Sequence, residues 1–207
     1  MKKLLLAIIL GITSSASAAS AKTESAIFAG GCFWCVESDF DSVKGVTATI
    51  SGYAGGTMNN PTYNNHEGNQ EAVKIEFDPA IISYVKLVSY FLRTIDVTDS
   101  GGQFCDRGDS YVSAIFANGA EQQAAAEKAL LDAEALLGQK IATPIKAATS
   151  FTPAEGYHQN YHLGQNRVLT RFGWIKQEDA YKRYRQGCGR DAQVKKIWGS
   201  AAYPKIN

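Results

Sequence analysis

One stretch constrains the fold of this chain more than any other: Gly30-Gly31-Cys32-Phe33-Trp34-Cys35-Val36-Glu37. Ahead of it, Ala26-Ile27-Phe28-Ala29 has the length and residue types of a strand. Behind it, Val36, Phe40 and Val43 are spaced like the apolar face of a short helix. The stretch predicts strand, glycine turn, helix, with Cys32 at the helix N-terminus. Free N–H groups and the helix dipole there stabilise an anion. Such a setting lowers a thiol pKa from about 8.5 into a range of roughly 3.5–7.5. Phe33 and Trp34 put apolar surface beside the sulfur. Two blander outcomes fit the same residues: an inert core cysteine, or half of a C-x-x-C zinc site.

The first residues read as a signal peptide. Met1-Lys2-Lys3 is basic, Leu4 to Ile12 is apolar but too short to span a bilayer, and Ala16-Ser17-Ala18 is a cleavage pattern. The expectation is export to a bacterial periplasm, with residues 1–18 removed near Ala18 and residues 19–207 forming a single domain, monomeric and without a membrane anchor. The formal charge of +1 turns slightly negative once Lys2 and Lys3 are gone, which argues against nucleic-acid binding. All four cysteines, Cys32, Cys35, Cys105 and Cys188, survive cleavage. They are too few for a disulfide-built scaffold. They allow two structural bridges in three pairings, or redox chemistry that uses the bridges.

Val46 to Tyr53 reads as a strand, followed by a long turn-rich loop from Gly55 to Asn65. Glu71 to Phe77 alternates as a half-buried strand. Ser83 starts a helix running toward Ile95, a second loop holds Phe104-Cys105-Asp106-Arg107, and Tyr111 to Phe116 is strand-like. Ala120 to Leu137 is helical with Gly138 ending it, and Ile145 to Phe151 is strand-like. Beyond Pro153 no clear period remains. The order implies an α+β two-layer sandwich: a mixed or antiparallel sheet with helices, a ferredoxin-like core, and an irregular C-terminal tail that wraps it.

Gly31-Cys32-Phe33-Trp34 followed by Val36-Glu37 resembles the signature of the A-type peptide methionine sulfoxide reductases. Further stretches resemble the same family in the same order: Gly52-Tyr53-Ala54-Gly55-Gly56, Asn60-Pro61-Thr62-Tyr63, Glu71-Ala72-Val73, Phe77-Asp78-Pro79, Ser110-Tyr111, and Ala154-Glu155 with Tyr157-His158-Gln159. The resemblance spans roughly Ala26 to Trp198. It implies thiol-dependent reduction of the S epimer of methionine sulfoxide in oxidised proteins, and of the free amino acid. It implies Cys32 as nucleophile, Glu71 as acid, Tyr63 and Tyr111 on the sulfoxide oxygen, Asp106 as a supporting carboxylate, and Phe33 and Trp34 as the methyl pocket. Cys32 would become a sulfenic acid that a second thiol condenses to a disulfide. Cys188, in a mobile segment of about 185–207, resembles the resolving cysteine, with Cys35 the alternative and Cys105 a spare or structural thiol. No cofactor or metal is implied beyond a thioredoxin-like reductant. The chain departs from the family pattern in two places: Glu67-Gly68-Asn69-Gln70 lacks a histidine usual before the acid, and Cys35 replaces a frequent glycine.

Taken alone, Tyr63 and Tyr111 read as packing residues, Glu71 as a solvent-facing strand carboxylate and Asp106-Arg107 as a surface ion pair. Three other functions compete. A thioredoxin-like disulfide oxidoreductase using Cys32–Cys35 shares the strand, C-x-x-C and helix. A metal-dependent hydrolase could use His158 and His162, four apart. A non-catalytic binding module would not need the cysteines.

Overall fold

In the computed structural model, residues 23–148 and 150–206 are described; the expected signal peptide lies outside them. Strand β1 (Glu24–Ala29) enters the Gly30-Gly31 turn, and α1 (Phe33–Phe40) leaves it. β2 (Val46–Ala54) and β3 (Gln70–Phe77) follow, then α2 (Tyr84–Leu92). A small hairpin of β4 (Gly102–Gln103) and β5 (Asp106–Arg107) precedes β6 (Ala114–Ala117) and the long α3 (Gly119–Leu137). Two short strands, β7 (Ile145–Ala147) and β8 (Phe151–Pro153), stand where one was expected.

The main sheet runs β7-β6-β1-β3-β2-β8. Its inner four strands, β6-β1-β3-β2, are antiparallel to their neighbours. With α1 and α2 they make the expected ferredoxin-like β-α-β-β-α-β unit. β3 separates β1 from β2, so the strands on either side of α1 do not pair as the adjacent parallel strands of a thioredoxin-like β-α-β unit. β7 joins parallel to β6, and β8 closes the other edge antiparallel to β2.

The core lies on the face covered by helices. Phe28, Val73, Ile75 and Phe77 from the sheet meet Val36 and Phe40 of α1 and Leu87, Val88 and Phe91 of α2. Burying each such side chain stabilises the fold by about 1.5–3 kcal/mol. Gly31 must be glycine: its φ is +79°, and a Cβ there would sit 2.6 Å from Gln103 Cβ. This turn aims the start of α1 at the amino end of β3, where Glu71 accepts the Phe33 N–H.

Beyond Pro153 the chain does wrap the core, but it also holds regular elements that the sequence pattern does not announce. A hairpin of β9 (Arg167–Thr170) and β10 (Gly173–Lys176) leads into α4 (Gln177–Gly187) and α5 (Arg190–Trp198). α4 buries Gln177, Ala180 and Tyr181, and α5 buries Arg190, Val194 and Trp198. Polar and aromatic residues fill the inward positions, so no aliphatic period marks either helix.

Candidate active site

Cys32 occupies the N-cap position of α1, as the sequence predicts. The thiol is buried, as is that of Cys35, and neither is in a disulfide. Burial pushes the Cys32 thiol up, and Cys35, Glu71 and Asp106 beside it push the same way. Burial at Cys32 opposes the lowering that the helix terminus offers its thiol. Cys35 is shifted down instead, first by the hydrogen bond from Cys32 and then by Arg190 and Arg185.

Glu71 is 2 % exposed, and its Oε2 accepts the Phe33 N–H at 3.0 Å. It shares one face of β3 with Val73, Ile75 and Phe77, so it points into the core and not to solvent. Burial raises its pKa to about 8, with the Phe33 N–H opposing and Asp106 and Cys35 adding to the rise. The carboxyl therefore keeps its proton at neutral pH. Glu71, Cys32, Phe33, Trp34, Tyr63, Asp106, Tyr111 and Tyr184 line one pocket of about 70 Å³.

Each wall has its own support. Glu155 holds the long loop: its carboxylate accepts the Tyr63 N–H at 3.0 Å and the Tyr53 hydroxyl at 3.1 Å. Burial raises the Tyr63 pKa to about 12 and moves Tyr111 the same way, so both phenols remain donors. Trp34 stacks on Tyr161 with centroids 3.8 Å apart, and its indole N–H donates to His158 Nδ1 at 3.2 Å. Asp106 accepts a hydrogen bond from the Tyr184 hydroxyl. Its neighbour Arg107 pairs with Asp99.

All the pocket residues expected from sequence come together. Cys188 does not lie free beside Cys32; it is bonded to Cys105. Tyr184, Tyr161 and Glu155 carry no role in the sequence reading, and His158 carries one only as a candidate metal ligand. Tyr181 and Tyr184 at helical spacing are the one local signal for α4's inward face. The two histidines do not share a helix face. They sit in separate 3₁₀ turns, Gly156–His158 and Tyr161–Leu163, and His162 Nε2 pairs with Asp41 at 3.0 Å. With one ring on Trp34 and the other on Asp41, they do not form the hydrolase's zinc pair.

Free thiols inside and a disulfide at the rim of one fold belong to a thiol-based oxidoreductase. The family model for peptide methionine sulfoxide reductase matches residues 24–200, and the chain belongs to that family. It is 47% identical over 192 residues to "Peptide methionine sulfoxide reductase MsrA 2" of Rhizobium meliloti, covering 92% of this chain and 91% of the relative. It is 44% identical over 184 residues to "Peptide methionine sulfoxide reductase MsrA" of Bacillus licheniformis, covering 86% and 95%. Among solved structures it is similar to the reduced form of Mxr1 from Saccharomyces cerevisiae, with a TM-score of 0.63 and 27% identity over 72% of this chain and 90% of that one. Its activity is the thiol-dependent reduction of methionine sulfoxide.

Proposed function

We propose that the chain repairs the S epimer of methionine sulfoxide in exported proteins, with Cys32 as nucleophile and Glu71 as acid. The observation that supports this best is the protonated Glu71 carboxyl, buried in the same pocket as the Cys32 thiol. A sulfoxide sulfur becomes electrophilic only when its oxygen is neutralised. Tyr63 and Tyr111 hold that oxygen, and Glu71 gives it a proton. Cys32 attacks the sulfur, methionine leaves, and the oxygen stays on Cys32 as a sulfenic acid while the thiol proton returns to Glu71. Phe33 and Trp34 enclose the S-methyl group, and Asp106 with Tyr184 lines the opposite wall.

Cys35 is the free thiol next to Cys32 and condenses with the sulfenic acid, releasing water. Cys188, the first expectation for this step, is engaged with Cys105 in the state described. A thioredoxin-like dithiol then restores the enzyme by exchange. The leader at residues 1–18 supports export to the periplasm. Among the described residues no helix is long and apolar enough to cross a membrane. The enzyme works as a monomer.

The test is turnover of a chirally resolved methionine sulfoxide peptide with dithiothreitol. The expected result is reduction of the S epimer only, abolished in Cys32→Ser. Reduction of neither epimer, with cleavage of insulin disulfides instead, would replace this reading with a disulfide oxidoreductase.

A further inference from the structure

The cysteines fall into two pairs of opposite character. Cys32 and Cys35 are buried and free. Cys105 is exposed, Cys188 is half-buried, and the two are bonded to each other. A carboxylate stands beside the outer pair. Cys105 Sγ, Cys188 Sγ and an Asp106 carboxylate oxygen lie within 4.8 Å of one another, the one such group of cysteine, histidine and acidic side chains among the described residues. Once the S–S bond is opened, two sulfurs and one carboxylate oxygen make a donor set for a thiophilic ion.

The backbone holds the three donors at the right spacing. Cys105 stands in the turn between β4 and β5, and Asp106 follows it at the start of β5. Cys188 caps the C-terminus of α4, with its Cα 5.0 Å from that of Cys105. In a tetrahedral zinc site with Zn–S near 2.3 Å, two sulfurs stand roughly 3.8 Å apart, and a sulfur and a carboxylate oxygen roughly 3.6 Å. Asp106 Oδ1 already lies 3.7 Å from Cys105 Sγ. Rotation about the two Cα–Cβ bonds separates the freed sulfurs to the first of these spacings. Asp106 Oδ2 accepts the Tyr184 hydroxyl, which fixes the carboxylate plane with Oδ1 turned to the sulfur. A hydrogen bond behind a ligating carboxylate is the usual means of orienting it. Two thiolates, one carboxylate and a divalent ion leave one net negative charge, which Arg190 near Asp106 offsets. A groove of about 380 Å³ that Cys105 and Cys188 line opens the place to solvent.

We propose that Cys105, Cys188 and Asp106 form a zinc site in the reduced protein, a site that the Cys105–Cys188 bond closes. An external two-electron reductant opens that bond to two thiols. Zinc then displaces one proton from each thiol and takes two Zn–S bonds and one Zn–O bond. Three protein ligands leave the fourth position to water. The oxygen donor favours zinc over a cuprous ion, which thiolates alone would suit. Metal and disulfide exclude one another, because the same two sulfurs serve both. Bound zinc therefore keeps the outer pair reduced, and it ties down Asp106, which also lines the Cys32 pocket.

The experiment measures zinc binding by the full chain. The protein is reduced with a phosphine, freed of it under argon, and titrated with zinc against a chromogenic chelator; cobalt(II) replaces zinc for spectra. The expected result is one zinc per chain in the reduced protein and none in the disulfide form, with cobalt giving a sulfur-to-metal charge-transfer band and tetrahedral ligand-field bands. The double variant C32S/C35S should keep the ion, and C105S/C188S should lose it. The wild type with its disulfide intact makes the second comparison without any substitution, so a poorly folding variant does not decide the matter. Tyr184→Phe, which removes the hydrogen bond behind Asp106, should weaken binding by about 10- to 100-fold. No zinc on the reduced chain, equal binding by the reduced and disulfide forms, or undiminished binding by C105S/C188S would overturn the site. None of these readouts involves methionine release, so the roles of Cys32 and Glu71 are tested separately.

Discussion

The two halves of the pocket are built by different means. The wall formed by Cys32, Phe33 and Glu71 belongs to the ferredoxin-like core, where a strand, a glycine turn and a helix fix each atom through sheet register and buried aliphatic packing. The wall formed by Tyr184, with Cys188 at the groove beside it, belongs to the C-terminal shell. That shell is held by polar ties: Gln159 bonds to both main-chain groups of Ser51, the Asn160 N–H to Glu37, and Arg185 and Arg190 to Asp39. A rigid wall suits proton transfer and nucleophilic attack, which lose rate with small displacements.

The largest effect should come from the core wall. Glu71→Gln keeps the shape and removes the acid; the expected loss in kcat/KM is about 100- to 10,000-fold, read with the peptide substrate. A loss below tenfold would mean the core wall does not carry the proton. Next, Trp198→Ala removes a buried indole whose N–H bonds to the Ile95 carbonyl at 3.3 Å. The expected cost is about 3–5 kcal/mol in urea unfolding. A cost under about 1 kcal/mol would show that α5 adds nothing to the shell.

The contrast between the halves also sets what the sequence reveals. In the core, aliphatic periodicity and glycine positions announce β1, α1, β2, β3 and α2, because those elements are stabilised by burying apolar faces, while helix propensity and Gly138 announce α3, which buries Ala126, Ala129 and Ala133. Glu71 enters the sequence reading through the family resemblance alone. Counting by twos from Phe77 places it with Ile75 and Val73 on the buried face, although a strand carboxylate taken alone reads as exposed. In the shell, Arg190, Val194 and Trp198 hold the inward positions of α5, and a buried arginine between two apolar residues breaks the pattern a reader looks for. Tyr111 stands in a 3₁₀ turn before β6, not in a strand, because its phenol faces the pocket. The Cys105–Cys188 pairing joins residues 83 apart, and no local pattern encodes it. The helix terminus beside Cys32 is visible in sequence, whereas the depth of burial that opposes it is not.

Smaller effects sharpen the boundary between the halves. Tyr184→Phe removes the hydroxyl that bonds to Asp106, and a hydrogen bond to a charged group of this kind is worth about 1.5–3 kcal/mol. A loss of roughly tenfold or more in kcat/KM is expected; no change would place Tyr184 outside the working pocket. Smallest is Glu37→Gln. Burial raises the Glu37 pKa to about 7, opposed by the Asn160 N–H. A carboxyl raised on folding binds its proton in the native state, so its stabilisation is full below the unfolded pKa and is lost as pH rises toward about 7. The variant should flatten the fall in stability between about pH 5 and 7 by up to about 1.4 kcal/mol per pH unit. An unchanged slope would contradict a raised Glu37.

The central claim is that the core holds a protonated Glu71 ready for the sulfoxide oxygen, and the pH dependence of single-turnover methionine release tests it most directly. The wild-type rate is expected to fall as pH rises through about 8, while the slower Glu71→Gln enzyme shows no such fall. The same fall in both, or none in the wild type, would contradict the account.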